Sequence, residues 1–237
     1  MKIFVRSDLK MRKGKMAAQS AHATNKLFLE YSYRKDNFIV IDMNTAKLLL
    51  QPDTLNSADV SFVKNEEELN KMENSRSSSI IDHGRTEFNG IKTKTVLCSD
   101  LISKDIVERF EPAEDRDIFA KQIILFSKEF PLSKEVACKL AGLSSVQSLV
   151  RMFEVGEDGN LYFDLSKENA SSAWLRGAFA KISLSTKNDS EFFDIMEKLM
   201  LAKIDFILIR DNNNLCLCTT PCFPDTIDPI TRHLSLI

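Results

Sequence analysis

Apolar and polar positions follow two alternating periods along this chain, and the pattern predicts a series of strands and helices. Residues 3–5 form a short apolar run typical of a buried strand, and residues 15–30 place small and apolar side chains at helical spacing. An alternating stretch predicts a strand over 59–64, and an Asn followed by three Glu predicts a helix over 65–74. A further strand is predicted over 79–82. Strands that alternate with helices indicate an α/β domain with a mixed or parallel sheet.

The same order of elements recurs later in the chain. Residues 123–144 (IILFSKEFPLSKEVACKLAGLS) align with residues 4–23, with strand, Lys-containing turn and small-residue helix in the same sequence. An internal repeat of this kind indicates two copies of one domain. The acidic segment EPAEDRD, residues 111–117, contains a proline and has the composition of a linker. We therefore predict a first domain over 1–112 and a degenerate second copy over 113–237.

Composition narrows the class of protein. With 237 residues and 43% hydrophobic content, the chain can bury one large core or two ordinary ones. No apolar run approaches the eighteen or so residues that span a bilayer, and the start of the chain lacks the pattern of a secretory signal. Five cysteines, an odd number, favour free thiols in a reducing compartment. These features predict a cytoplasmic protein with no membrane segment.

Charge is concentrated at the start of the chain. The first 35 residues contain nine Lys and Arg against two acids, whereas the net charge of the whole chain is −2. A local positive field on an acidic body fits a protein that binds phosphate at one face only. The alternative interpretation, a solvated basic helix end, stays open on charge alone.

Two segments carry candidate chemistry. Residues 7–23 read SDLKMRKGKMAAQSAHA and place four Lys and Arg around a lone glycine, Gly14, at the start of a helix. Glycine allows close backbone approach and the helix N-terminus points its amide hydrogens outward, so this segment predicts an anion or oxyanion site. Residues 80–86 read IIDHGRT, where Asp82 ends an apolar strand and Gly84 allows a sharp turn. A carboxylate near a lysine can keep that lysine charged or accept a proton from attacking water.

These two segments, followed by a strand at 95–97, resemble the signatures of the archaeal and eukaryotic class of peptidyl-tRNA hydrolase, the type-2 enzymes. In that family a DLKMGKGK-AAQ-AHA signature precedes a DAGRT or DAGKT turn. The resemblance implies hydrolysis of the ester between peptide and tRNA, with peptidyl-tRNA as the partner and no metal or cofactor. It implies, for each copy, a mixed four-stranded sheet flanked by helices. Residues 179–213 resemble the family's central strand, helix and strand, and 227–237 its DPITG-like turn and short apolar strand or tail.

The resemblance also assigns roles to individual residues. The implied catalytic residues are Lys15, Asp82, Thr86, Thr95 and His22. The implied substrate-binding residues are Lys10, Arg12, Lys13, Gly14, Gly84 and Arg85. Lys15 and the helix N-terminus would stabilise the oxyanion, and Asp82 would organise or deprotonate water. His22 stays open between a site residue and a histidine packed among alanines.

The chain departs from the family pattern at several places. Arg12 stands where the family has a glycine, and His83 where it has an alanine. The glycine- and proline-rich loop of the family is replaced by Cys98-Ser99-Asp100, and the connection over 29–59 follows no recognised pattern. The lost loop lies near the site in relatives, so substrate range can differ while the reaction persists. The lost loop and His83 are also the best support for a non-catalytic RNA-binding module.

The second copy has lost the implied site residues. Aligned with the first copy, Glu135 falls at Gly14, Val136 at Lys15, Leu143 at His22 and Leu215 at Thr86, while Asp211 matches Asp82. We expect this copy to be structural and to pack on the first as a pseudo-dimer within one chain. A homodimer, and two independent domains on a linker, are alternatives.

Other functions stay open from the sequence. A non-catalytic tRNA- or RNA-binding module would keep the basic segment and lose hydrolysis, and a protein-interaction adaptor would bind no tRNA. Cys216, Cys218 and Cys222 with His233 match the count of a zinc site, but alternating cysteines on an apolar strand are more simply buried core residues. We therefore expect no metal.

Overall fold

A computed structural model of the protein describes residues 1–84, 88–111 and 119–237. The elements of the first copy are β1 (Lys2–Arg6), α1 (Lys13–Leu29), β2 (Tyr33–Lys35), β3 (Phe38–Ile41), α2 (Met43–Leu49), β4 (Asp59–Val63), α3 (Glu66–Lys71), β5 (Ser77–Asp82) and β6 (Thr93–Ser99). The elements of the second copy are β7 (Lys121–Ser127), α4 (Lys134–Val150), β8 (Glu154–Val155), β9 (Leu161–Asp164), α5 (Ala170–Arg176), β10 (Ala180–Thr186), α6 (Asp189–Leu201), β11 (Phe206–Asp211), β12 (Asn214–Thr219), α7 (Pro224–Thr231) and β13 (Ser235–Leu236). Each strand and helix predicted for the first copy is present, with its ends shifted by a few residues.

The two copies have sheets of the same topology. In the first copy the strand order is β4-β1-β6-β5, with β1 parallel to β4 and antiparallel to β6. The second copy repeats this order as β10-β7-β12-β11, with β7 parallel to β10. Its sheet gains a fifth strand because β13 pairs antiparallel with the outer edge of β10. The mixed α/β fold predicted from the sequence is therefore confirmed, with one strand more in the second sheet than predicted.

A third sheet joins the copies. Its order is β2-β3-β9-β8, and the central pair, β3 with β9, links the first copy to the second through register pairs such as Ile39 with Phe163. The strands β2 and β3 lie in the connection that followed no recognised pattern in the sequence. Each copy thus inserts a hairpin and a short helix between its first long helix and its next strand, and the two hairpins complete one sheet.

The long helices α1 and α4 pack side by side and run in the same direction. Contacts advance in step along both: Lys13 Nζ donates to the Leu132 carbonyl, and Thr24 Oγ1 donates to the Gly142 carbonyl at 3.1 Å. Further along, the Phe28 and Phe153 rings meet with centroids 5.7 Å apart. Close approach of the two helices depends on Gly142, where a Cβ atom would lie 3.0 Å from Thr24 Cγ2 of α1. The N-termini of both helices therefore lie at the same end of the protein.

The buried core crosses the boundary between the copies. One cluster combines Ile3 and Leu27 of the first copy with Val146 and Trp174 of the second. A second cluster packs Ala17 of α1 against strands of the second copy. Two independent domains on a linker would not share these clusters.

Within the described residues, no helix is both long and apolar enough to cross a membrane.

Equivalent helix starts are capped in the same way in both copies. The Asn65 side chain accepts a hydrogen bond from Glu68 N at 2.9 Å, and the Glu68 carboxylate accepts from Lys64 N at 2.7 Å. In the second copy Asn188 accepts from Glu191 N at 2.9 Å, and Glu191 accepts from the amide before Asn188 at 2.6 Å. Such reciprocal bonds satisfy amides that a helix start leaves unpaired. The Asn cap predicted before residue 66 is confirmed.

One local prediction is wrong. The DPIT segment, expected to form a turn, lies inside α7, with Pro229 in the helix. The short strand expected after this segment is present, as β13. Pro229 lies in the last turn of α7, where it cannot donate a backbone hydrogen bond, and the helix ends two residues later at Thr231.

Candidate active site

The first turn of α1 and the end of β5 bring Lys15 and Asp82 together. The Lys15 ammonium Nζ donates to Asp82 Oδ2 in an ion pair. The Asp82 side chain is 9% exposed and the Lys15 side chain 19%, so the pair is largely shielded while the lysine still reaches the surface. Solvent screens the attraction in such a pair less than in an exposed pair. The predicted lysine and carboxylate are in direct contact.

Further donors fix the carboxylate of Asp82. Gln19 Nε2 donates to Oδ2 at 2.7 Å, and the Gly84 amide donates to Oδ1 at 2.8 Å. A carboxylate oxygen has a second lone pair, so Oδ1 can also accept from a water molecule. The arrangement holds Asp82 in one orientation and leaves it able to organise water.

Gln19 was not among the predicted site residues. It lies four residues after Lys15, one helical turn along the same face of α1, and is only 6% exposed. Its amide nitrogen binds Asp82, while its Oε1 lies 3.2 Å from Thr95 Oγ1. The sequence contained a signal for this role: the glutamine of the AAQ triplet lies four residues after Lys15, so a helix places both on one face. Gln19 links the predicted threonine to the predicted carboxylate.

A β-bulge aims Thr95 at α1. The β5–β6 pairing runs Ile80 with Val96 and then Ile81 with Lys94, so Thr95 has no partner on β5. A bulge of this kind turns one side chain away from the regular alternation of a strand. The Thr95 hydroxyl is fully buried and lies within hydrogen-bond distance of both Gln19 Oε1 and the Ile80 carbonyl, at 3.2 and 3.3 Å. Thr95 therefore joins the cluster of Lys15, Gln19 and Asp82.

The turn after Asp82 needs glycine at position 84. Gly84 has φ +72°, in the left-handed region, and a Cβ atom there would lie 2.6 Å from Ile91 N. The next two predicted site residues, Arg85 and Thr86, lie outside the described residues.

The basic residues at the start of α1 point in different directions. Lys10 and Arg12 are exposed, and Arg12 precedes the helix without capping it. Lys13 Nζ binds the Leu132 carbonyl of the second copy, and the Gly14 amide donates to the Ile237 carbonyl at 3.0 Å. Of the four cations in this segment, Lys15 is the one that contacts Asp82.

His22 contacts the second copy. Its ring lies against Phe179, with centroids 5.7 Å apart. Burial, and secondarily the nearby Lys181 and Lys15, lower the pKa of His22 well below its ordinary value, so the imidazole is neutral at pH 7. The contact with Phe179 fits a packed histidine, and the nearby charge of Lys15 keeps His22 a candidate site residue.

The equivalent place in the second copy has a different chemistry. Asp211 forms an ion pair at 2.9 Å with Lys139, which lies one turn further along its helix than Val136. Leu140 occupies the position equivalent to Gln19 when the starts of α1 and α4 are aligned. The β11–β12 register is continuous from Phe206 to Asp211, where Asp211 pairs with Asn214.

The alignment of Leu215 with Thr86 was wrong. Leu215 lies on β12 opposite Arg210. The connection from β5 to β6 spans residues 83–92, whereas only residues 212–213 join β11 to β12. The segment that contains Thr86 therefore has no counterpart in the second copy.

The cysteines form part of the core. Cys216 and Cys218 are fully buried in the cluster that contains Ala17, and burial raises the pKa of the Cys216 thiol to about 12. All five cysteines are free and buried. Among the described residues there is no group of three or more His, Cys, Asp or Glu side chains arranged to hold a metal ion.

Comparison of the chain with models of protein families shows which family it belongs to. The model described as Peptidyl-tRNA hydrolase PTH2 matches residues 1–111 and again residues 120–237. The chain belongs to the peptidyl-tRNA hydrolase PTH2 family. Two matches in tandem agree with the repeated sheet topology, and the family recognised from the basic segment is confirmed. No curated protein matches the chain.

Proposed function

We propose that this member of the PTH2 family hydrolyses the ester bond of peptidyl-tRNA in the cytoplasm, using the first copy, residues 1–112. The observation that carries the proposal is the cluster of Lys15, Asp82, Gln19 and Thr95, formed by three elements within a chain of this family. Ester hydrolysis needs an activated water and a stabilised oxyanion. A lysine beside an oriented carboxylate can provide both.

The proposed reaction assigns a role to each group. Water adds to the ester carbonyl carbon as Asp82 orients it and accepts its proton. The ammonium of Lys15 stabilises the oxyanion that forms on the carbonyl oxygen. When the carbon–oxygen bond to the ribose breaks, the ribose oxygen takes up the proton that Asp82 accepted, and the peptide acid loses its remaining proton to solvent. The products are a free tRNA and a peptide carboxylate. Thr95 acts through Gln19 to hold the carboxylate in place.

Other predicted residues belong to the proposed substrate surface. Lys10 and Arg12 are exposed beside the start of α1, where they can bind the phosphates of the tRNA acceptor end. Arg85 and Thr86 keep the roles implied by the family signature.

The second copy, residues 113–237, is proposed to be a structural partner that makes the chain a pseudo-dimer. Parallel packing of α1 on α4 and the sheet shared through β3 and β9 support this proposal. The Leu140 and Val136 side chains at the places of Gln19 and Lys15 leave this copy without a comparable cluster.

A single-turnover assay tests the proposal. The wild-type protein, a Lys15→Ala variant and a Lys139→Ala variant are incubated with N-acetyl-aminoacyl-tRNA and, separately, with unblocked aminoacyl-tRNA. We expect the wild type and Lys139→Ala to release the acyl group from the blocked substrate only. Lys15→Ala should be slower by roughly a hundredfold or more, which is typical for removal of an oxyanion-stabilising group. Equal rates for Lys15→Ala and wild type would contradict the assigned role.

One observation favours a second function, a non-catalytic RNA-binding module. Lys10 and Arg12 are exposed at the start of α1, where they can bind RNA phosphates whether or not the ester is cleaved. Salt-dependent tRNA binding by the wild type with no release of the acyl group would establish this alternative.

A further inference from the structure

The loop between β7 and α4, residues 128–133, lies at the same end of the protein as the proposed active site. Helices α1 and α4 begin side by side, and Lys13 Nζ at the start of α1 donates to the Leu132 carbonyl of this loop. Lys13 is two residues before Lys15, and Leu132 is two residues after Phe130. Because two residues of backbone span at most about 7 Å, the second copy holds Phe130 close to the start of α1.

Phe130 is an exposed aromatic side chain that does not pack in the core. It is 42% exposed and belongs to none of the apolar clusters formed by the described residues. When the starts of α1 and α4 are aligned, Leu9 occupies the same place in the first copy, and Leu9 packs against the main cluster. Packing therefore explains the aliphatic side chain in the first copy but not the aromatic ring in the second.

The backbone is fixed on both sides of Phe130. Before it, the Glu129 amide donates to Ser127 Oγ at 3.2 Å. After it, Leu132 is 8% exposed and packs in a buried cluster that includes residues of both copies. Ser133 then caps the first turn of α4. The loop presents the ring in a pre-organised position, which lowers the entropy cost of binding a partner there.

Cations without partners flank the ring. Lys128 and Lys134 are exposed, and neither forms an ion pair or a side-chain hydrogen bond within the described residues. Lys10 and Arg12 are exposed before the adjacent helix start in the first copy. This end of the protein therefore presents positive charge from both copies.

Two acidic side chains lie in the same segment. The Glu129 carboxylate accepts a hydrogen bond from the Asp189 amide at 3.4 Å. Glu135 lies in the first turn of α4, where a carboxylate offsets the positive end of the helix dipole. Both carboxylates thus interact with helix starts of the second copy, whereas the two lysines remain available to a phosphate backbone.

We propose that Phe130, with Lys128 and Lys134, forms a stacking platform for the unpaired 3′ end of the tRNA substrate. A base stacks on the exposed ring, and the two ammonium groups bind neighbouring phosphates. Proteins commonly bind single-stranded nucleic acid with aromatic rings set among cations, because every base has a face that can stack. The second copy then binds substrate although it has no cluster comparable to that of Lys15 and Asp82. This inference rests on the proposed function for the identity of its ligand.

The test measures the Kd of two RNA probes for the wild type and three variants. One probe is a deacylated acceptor-stem minihelix that ends in the unpaired sequence ACCA, and the other is the same minihelix with a blunt end. The variants are Phe130→Ala, Phe130→Trp and the matched control Phe119→Ala. Phe119 is 38% exposed and precedes β7, at the opposite end of that strand from Phe130.

Phe130→Ala should weaken binding of the ACCA-ended probe by about five- to a hundredfold, the range for loss of one stacked base, and leave the blunt probe unchanged. Phe119→Ala should bind both probes as the wild type does. Phe130→Trp should keep the affinity, and the ACCA-ended probe should quench its new emission, since the natural Trp174 is fully buried.

The lysines are tested through the salt dependence of binding. Each phosphate contact to single-stranded nucleic acid contributes about 0.7 to the slope of log Kd against log salt concentration. The double variant Lys128→Gln/Lys134→Gln should therefore lower the slope for the ACCA-ended probe by up to about 1.4. An unchanged slope would contradict the role of both lysines.

The outcomes separate the platform from the proposed function. Equal affinity of Phe130→Ala and wild type for the ACCA-ended probe overturns the platform, and so does an equal loss for both probes. If the wild type nevertheless releases the acyl group from the blocked substrate, the proposed function stands without the platform. Binding that depends on Phe130 in a wild type that releases no acyl group supports the platform and refutes the proposed hydrolysis.

Discussion

Replacement of Lys181 by Met is expected to stabilise the protein at neutral pH. The Lys181 ammonium nitrogen is buried and has no hydrogen-bond partner among the described residues. It lies 3.7 Å from the centroid of the Phe179 ring and 4.2 Å from that of Trp174. Burial lowers the pKa of Lys181 well below its ordinary 10.5. The titratable groups that face it are His22 from α1 and Cys218 from β12.

The magnitude follows from the unpaired nitrogen. A buried polar group without a partner costs about 1 to 3 kcal/mol, and contact with the aromatic faces recovers at most about 2 kcal/mol if the amine is charged. A methionine of similar length removes the cost and keeps the ring contacts. The free energy of unfolding should therefore rise at pH 7, by up to about 3 kcal/mol when the ring contacts recover little of the cost. For a chain of this size that is a rise in Tm of about 2 to 4 °C per kcal/mol.

The pH dependence has a definite sign. Lys181 in the unfolded chain binds a proton up to about pH 10.5, whereas in the folded protein it releases that proton at lower pH. The unfolded state thus binds more protons, and the stability of the wild type rises with pH toward 10.5, with a slope of at most about 1.4 kcal/mol per unit. The Met variant lacks this contribution, so its advantage should shrink between pH 7 and pH 9.

Urea unfolding at pH 7 and pH 9, followed by circular dichroism, measures both effects. Lys198→Met, on the exposed face of α6, is the matched control and should change the free energy of unfolding by less than about 0.5 kcal/mol. A Lys181→Met variant less stable than the wild type at pH 7 would refute the reasoning. So would an advantage that is the same at both pH values.

Three further predictions concern the site and its supports. Gln19→Ala should lower the single-turnover rate about tenfold, because Asp82 loses one donor and Thr95 its link to the carboxylate. Gly84→Ala should lower the free energy of unfolding, measured in urea, by more than about 1 kcal/mol, since φ is +72° and the new Cβ meets Ile91 N. Asn65→Ala should lower that free energy by about 1 kcal/mol through loss of the helix cap.

Each of these three has a control in the chain. Leu140→Ala changes the position equivalent to Gln19 in the second copy, and its rate per folded protein should match the wild type. A slower Leu140→Ala protein would mean that truncation at this helix position slows the reaction in either copy, so the Gln19 effect would not be specific to the Lys15–Asp82 cluster. Gly90, where a Cβ would meet nothing within 4 Å, is the control for Gly84, and equal losses at both glycines would contradict the role of close contact. An Asn65→Ala variant as stable as the wild type would contradict the cap.

Local signals in the sequence predicted the repeated strands and helices correctly. The cap at Asn65 and the apolar run that precedes Asp82 act over a few residues, so they can be read without knowledge of the rest of the fold. Lys15 and Asp82 were predicted from the family signature, and the structure brings them into contact.

Features that depend on distant partners could not be predicted in this way. The strand β3 pairs with β9 from the other copy, so the residues around β3 in the sequence do not indicate its partner. Thr95 reaches Gln19 only through a bulge, which the alternation of apolar residues does not reveal. The contact between Gly14 and Ile237 joins the first helix to the last residues of the chain, and no periodicity records it.

The central claim is that Asp82 of the first copy, and not Asp211 of the second, supports hydrolysis. The most direct measurement is the single-turnover release of the acyl group from N-acetyl-aminoacyl-tRNA by Asp82→Asn and Asp211→Asn, which make the same isosteric change at an ion-paired carboxylate in each copy. We predict a rate at least a hundredfold below wild type for Asp82→Asn and a wild-type rate for Asp211→Asn. Equal rates for the two variants would contradict the account.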